Sequence, residues 1–123
     1  MIGYLFRLGL LATFCAGHTQ SNAFARSTYD GQWSVLIVTQ RGGCDRAYRY
    51  GVQIVNGIVI DGGGMVTLSG RVAPNGNVRV AVSSGNNRAS GSGRLSGGIG
   101  RGNWSGRAGV DICSGYWTAE RRS

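Results

Sequence analysis

The chain has 123 residues, and 13 arginines face 5 acidic residues, with one histidine and no lysine, for a formal charge of +8. This length bounds a single domain, and no segment approaches the roughly 20 apolar residues of a membrane-spanning helix. So basic a balance points to anionic partners.

Met1 to Ala25 reads as a secretory signal peptide. Arg7 is its positive start, Leu8 to Gly17 its short apolar stretch, and Ala23-Phe24-Ala25 its cleavage site. The competing reading is a lipoprotein signal at Cys15. It needs a small residue where Phe14 stands, so cleavage after Ala25 is favoured. The expected mature protein, residues 26–123, is one domain that is periplasmic or secreted.

Cleavage changes the inventory. The only histidine, His18, leaves with the signal, and 12 arginines remain against Asp30, Asp45, Asp61, Asp111 and Glu120 for a charge of +7. Cys44 and Cys113 are then the only cysteines, and an even pair in an oxidising compartment reads as a disulfide. A domain of 98 residues buries only roughly 60–68% of its unfolded surface, so a cross-link matters to it.

Helix formers are scarce past the signal. Glycine and asparagine punctuate the chain, and β-branched and aromatic residues alternate between them with period two. Eight strands are predicted: 32–40, 47–55, 58–61, 65–73, 78–83, 88–95, 99–106 and 113–121. The first places Trp33, Val35, Ile37 and Thr39 on one face. The second does the same with Tyr48, Tyr50, Val52 and Ile54. Asn56-Gly57 between the second and third is a strong hairpin signal. Almost every connection is too short for a parallel crossover. An antiparallel meander follows, and it hides its edges most simply by closing into a barrel. Closure pairs the first strand with the eighth and brings Cys44 and Cys113 to the same end.

The expected core is Trp33, Val35, Ile37, Tyr50, Val52, Val66, Leu68, Val80, Val82, Leu95 and Trp104. A barrel of this size is expected to be filled by its own side chains. An aromatic-lined pocket is the competing reading.

Three segments share the pattern Ser-Gly-Arg-apolar: Ser69 to Val72, Ser92 to Leu95 and Ser105 to Ala108. Their spacings of 23 and 13 are unequal, so they are not an array. The structural reading is that glycine lets a strand bend while arginine points to water. The functional reading is an anion-binding surface of Arg71, Arg79, Arg94, Arg101 and Arg107. Arg49, Arg88 and Arg121 are also expected on the outer face. Arginine suits bidentate contact with phosphate, sulfate or carboxylate. Anionic polysaccharide, lipopolysaccharide and an acidic protein are the candidate partners, and nucleic acid ranks last. Solubility and codon usage are the competing explanations for the charge.

Catalysis is not expected. Without histidine or lysine in the mature chain, serine–histidine, cysteine–histidine and Schiff-base chemistry have no base or amine. No cofactor or metal site is expected, since zinc sites draw on cysteine and histidine. Asp45 and Asp111 flank the cysteines, and they read as ion-paired or turn-forming residues.

The elements W-S-V, C-D-R-A-Y-R-Y and C-S-G-x-W-x-A-E-R-R lie within 33–50 and 113–122. With V-N-G and the arginine repeats, they make the chain resemble small exported proteins of rhizobial-type alphaproteobacteria. That resemblance implies export and carries over no catalytic or binding residue. Asp30-Gly31-Gln32-Trp33 is similar to the G-x-W turn that opens lipocalin- and avidin-like barrels, which implies a tryptophan closing the barrel floor. Bacterial metalloprotease-inhibitor barrels share the strand count, the G-x-W start and one disulfide. Their cysteines lie close in sequence, whereas 69 positions separate these two. The leading expectation is therefore a non-enzymatic exported barrel that binds an anionic ligand. The alternatives are an enzyme inhibitor, with residues 26–31 as its projecting segment, and a structural or adhesion component of the envelope or matrix.

Overall fold

The computed structural model describes residues 27–61 and 66–123. The expected signal peptide, 1–25, with Cys15, lies outside the described residues. Eight strands run in chain order: β1 (Gly31–Arg41), β2 (Ala47–Val55), β3 (Ile58–Asp61), β4 (Thr67–Val72), β5 (Asn77–Ser84), β6 (Asn87–Ser96), β7 (Ile99–Ala108) and β8 (Asp111–Arg121). Each pairs antiparallel with the next, and β8 pairs back onto β1, closing the barrel. The second and third strands keep their expected bounds. The fourth is shorter than 65–73, and the eighth opens at Asp111 rather than Cys113 because the β7–β8 turn is a tight Gly109-Val110 pair.

Turn chemistry sets the register. Asn56 and Gly57 both hold positive φ, at 54° and 80°, as a two-residue hairpin of the favoured twist requires. Cys44 and Cys113 are disulfide-bonded with their Cα atoms 6.2 Å apart, tying the β1–β2 loop to the start of β8.

The two ends differ. The turns at 56–57, 73–76 and 97–98, together with residues 27–30 and 121–123, gather at one end. Residues 27–30 cross this end as a floor. Trp33 stands over it, 2% exposed, and its indole Nε1 donates to the Tyr29 carbonyl at 2.9 Å. The Asp30 carboxylate accepts from the Asn56 and Gly57 amides at 2.8 and 3.0 Å. The disulfide and the turns at 85–86 and 109–110 ring the other end, which is open.

Core density follows this asymmetry. Trp33, Val52, Ile54, Val59, Val72, Val78, Leu95, Trp117 and Ala119 form the buried cluster. Val35, Ile37, Tyr50, Leu68, Val80 and Trp104 pack against it half-exposed. The sequence-based core list missed Ile54, Val59, Val72, Val78, Trp117 and Ala119, most of which lie toward the closed half. Val66 and Val82, which it included, stand at the wide end and are only half-buried.

Arg121 departs from its expected place on the outer face. Inward positions on β8 are Cys113, Gly115, Trp117 and Ala119, all buried, and Arg121 keeps their parity. It therefore turns under the barrel.

Glycines on β6 and β7 make room for the large rings. Trp117 lies over Gly93, Gly100 and Gly102. A Cβ at Gly102 would sit 2.7 Å from the indole Cε2 and 2.0 Å from the Ser92 carbonyl oxygen. Trp104 reaches across Gly115 to donate from Nε1 to the Val38 carbonyl at 3.0 Å, beside a register shift between Thr39 and Arg41.

Candidate functional site

Among the arginines expected to bind anions, the barrel brings four together. Arg71 on β4 is directly opposite Arg79 on β5, and Arg94 on β6 is directly opposite Arg101 on β7. Arg79 faces Ser92, two residues from Arg94, so the two pairs are diagonal neighbours. Directly opposite side chains lie about 5 Å apart at Cβ, and diagonal ones about 7–8 Å. The result is a continuous exposed belt toward the closed end.

Among the described residues, none of the four belt arginines pairs with a carboxylate; Arg122 pairs with Glu120 at 3.3 Å, between two exposed side chains. Like charges directly opposite each other destabilise a sheet by roughly 0.2–1 kcal/mol per pair. The belt is thus an arrangement that the fold tolerates rather than one that stabilises it.

Arg107, the third member of the Ser-Gly-Arg repeat, does not join the belt. β7 runs from the closed to the open end, so Arg107 lies at the open end, directly opposite Arg88. The repeat has a shared structural logic. Gly70, Gly93 and Gly106 face inward, where an added Cβ would lie 2.2–2.5 Å from a neighbouring atom. Each following arginine is exposed. Arg49 sits on a separate part of the outer face.

The interior is not filled. A cavity of about 570 Å³ opens at the disulfide end and reaches down to Trp33, Ile54, Val59, Val78 and Leu95. The expectation of a packed interior is overturned. Ala89, Gly91 and Gly106 border the cavity with little or no side chain, facing the apolar wall of β1, β2 and β5, while Gly93, Gly100 and Gly102 are covered by Trp117. The Ser-Gly-Arg glycines Gly70, Gly93 and Gly106 are read from the sequence as bend positions, and of these only Gly106 borders the cavity.

Most polar groups of the wall are satisfied within the protein. Thr39 donates to the Asp45 carbonyl and Tyr50 to the Asp61 carboxylate. Burial, and then the bond to Asp61, push the Tyr50 phenol above its ordinary value of 10.0. Trp117 Nε1 is buried without a hydrogen-bond partner. The mouth is different in character, with Ser83, Ser84, Asn87, Arg88 and Arg107 on one side and Asp45 across it.

Asp45 and Asp111 both stand at the open end. Asp45 forms no ion pair with Arg46, and the Asp111 carboxylate lies against Gly43. Among the described residues no cluster of histidine, cysteine, aspartate and glutamate is arranged to hold a metal ion. Ser27 to Gly31, most of the segment expected to project, is instead folded across the closed end. No helix among the described residues is long and apolar enough to cross a membrane. No family model, curated protein or solved structure matches the chain.

Proposed function

We propose that this is an exported, non-enzymatic binding protein whose arginine belt engages an anionic polymer of the cell envelope or its surroundings. Acidic polysaccharide and lipopolysaccharide fit best, because both repeat their charges at short intervals along a surface. The observation that carries this reading is the pairing of Arg71 with Arg79 and of Arg94 with Arg101, contiguous, exposed and without carboxylate partners. Four guanidinium groups on one rigid face offer forked donors to sulfate, phosphate or carboxylate. A polyanion also relieves the like-charge repulsion that the bare surface carries.

The test is binding of lipopolysaccharide and heparin to disulfide-bonded protein. Affinity is expected to fall steeply between about 50 and 200 mM salt, as counterion release requires. Replacing Arg71, Arg79, Arg94 and Arg101 together by glutamine is expected to abolish binding while leaving the melting curve unimpaired. Equal binding by this variant, or no binding by the wild type at low salt, overturns the proposal.

A further inference from the structure

We propose that the barrel cavity is a second binding site, distinct from the belt, and that it takes a single-chain anionic amphiphile of the fatty-acid type. The tail would lie in the shaft and the carboxylate on Arg88 and Arg107 at the mouth.

Three observations carry this assignment. The first is space. About 570 Å³ falls inside the range of small-molecule sites, roughly 300–1,000 Å³. From Trp33 at the floor to Thr39 near the rim, β1 spans about 20 Å, and strand tilt reduces that to a depth of about 15 Å. This shape is deep and narrow, as for an extended chain rather than a compact polar molecule.

The second is the chemistry of the shaft. Val35, Ile37, Val52, Leu68 and Val80 line it with Trp104. The donors of Trp33, Trp104, Thr39 and Tyr50 are already taken by partners in the protein. Trp117 Nε1 is shut off from the cavity by its own burial, and the Tyr48 phenol stands near the rim, half-exposed to solvent. Below the rim the shaft therefore offers few free polar groups and an apolar chain contact along most of its length. Filling it removes apolar wall and apolar chain from water together.

The third is charge at the mouth. Arg88 and Arg107 occupy directly opposite positions on β6 and β7, both border the cavity, and neither has a carboxylate partner. Their side chains leave from the outer face at the rim, and they are long enough to fold over the edge. Two adjacent guanidinium groups with Ser83 and Asn87 beside them fit one carboxylate head group. A neutral or cationic head group would leave the two charges facing each other unrelieved.

The assignment is tested by calorimetric titration of delipidated, disulfide-bonded protein with laurate, dodecanol and acetate. Laurate is expected to bind with one-to-one stoichiometry, dodecanol more weakly and acetate not at all. Replacing Arg88 and Arg107 together by glutamine is expected to weaken laurate by at least about tenfold, the effect of losing charge-assisted hydrogen bonds. The same change should leave dodecanol unaltered. Val82→Phe, placed to fill the upper shaft, is expected to abolish binding of both chains. Near-UV circular dichroism checks that this variant is folded, and Leu68→Phe serves in its place if it is not. Laurate binding that is indifferent to the double glutamine change, or that survives both filling variants, overturns the assignment. So does failure of both chains to bind the wild type.

Discussion

The Arg121 guanidinium lies over the Trp33 ring, 5.2 Å from its centroid, and fastens the floor of the barrel to its last strand. It donates to the carbonyls of Thr28 and Asp30 at 3.0 and 2.9 Å, and to Gly97 at 3.4 Å. One side chain thus ties residues 27–30, the first strand and the β6–β7 turn together. Among arginines that look alike in the sequence, this one is structural.

That difference is measurable. Arg121→Ala is expected to cost about 2–3 kcal/mol, since it strips charge-assisted bonds from three carbonyls and uncovers Trp33. Arg121→Lys should recover only part of this, because an ammonium cannot reproduce the planar fork. Arg79→Gln is expected to raise stability by about 0.2–1 kcal/mol by relieving repulsion from Arg71. Urea denaturation of the three variants gives the comparison. A loss at Arg79 equal to that at Arg121 would contradict the division between belt and floor.

Gly102→Ala and Gly51→Ala differ by one methyl group each, with opposite expected outcomes. At Gly102 the new Cβ would lie 2.0 Å from the Ser92 carbonyl oxygen and 2.7 Å from the Trp117 ring. Backbone cannot yield as a flexible side chain can, so a loss of about 3 kcal/mol or failure to fold is expected. At Gly51 the added methyl meets nothing within 4 Å. Alanine there is expected to add about 0.4–1 kcal/mol by restricting the unfolded chain. Thermal melts decide both.

Reducing the Cys44–Cys113 bond releases two segments 69 residues apart in sequence. Cys44→Ser is expected to cost about 2–4 kcal/mol, chiefly through the freedom returned to the unfolded chain. The Cys113 side chain is fully buried, so Cys113→Ser adds the burial of a hydroxyl and should cost more than Cys44→Ser. Equal midpoints for the two variants would argue that burial at Cys113 contributes nothing.

Local rules made the barrel legible in the sequence. Asn56-Gly57 announces a hairpin, the alternation through Trp33, Val35 and Ile37 announces a one-sided strand, and short connections force neighbours to pair. The disulfide was readable from an even pair of cysteines, and closing β1 on β8 brings Cys44 to Cys113. The arginine belt was half legible. Outward parity was readable strand by strand, but the opposition of Arg94 to Arg101 depends on the register of the β6–β7 turn. The exceptions were set by long-range geometry. Arg121 is outward only if β8 takes the parity of Tyr116, and the strand is apolar enough on both faces to leave that choice to packing. The cavity was hidden because it depends on which inward positions are small. Gly91 and Gly106 look like turn or bend residues, and only the register shows that they border the cavity, whereas Gly93, Gly100 and Gly102 seat Trp117.

Trp117 carries a test of how the glycine bed supports the core. Its indole is nine-tenths buried, and its Nε1 lacks a partner. Trp117→Ala is expected to cost about 3–5 kcal/mol for the lost ring. Trp117→Phe keeps an aromatic ring on the glycines and removes an unmet donor, which by itself costs about 1–3 kcal/mol when buried. The two effects oppose, and Trp117→Phe is expected to lie within about 1.5 kcal/mol of wild type. A loss as large as that of alanine would mean that the indole nitrogen edge makes a contact essential to the fold.

Alkaline titration tests the inner wall at Tyr50. Its phenol is held above the ordinary 10.0 by burial and by the bond it donates to Asp61. In the unfolded chain the same phenol ionises near its ordinary value. Above that pH the folded state therefore holds a proton that the unfolded state has lost. The contribution of Tyr50 is fully present below about pH 10 and is lost as pH rises through the folded-state value. Wild type is accordingly expected to lose stability with rising pH more steeply than Tyr50→Phe, which has no phenol to ionise at that site. At neutral pH wild type is expected to be the more stable of the two, since the phenylalanine variant lacks the hydrogen bond to Asp61. Paired denaturation curves at about pH 7 and pH 11 measure both differences. Parallel pH dependences in the two proteins would show that the Tyr50 phenol ionises as it does in the open chain, and that the bond to Asp61 does not hold its proton.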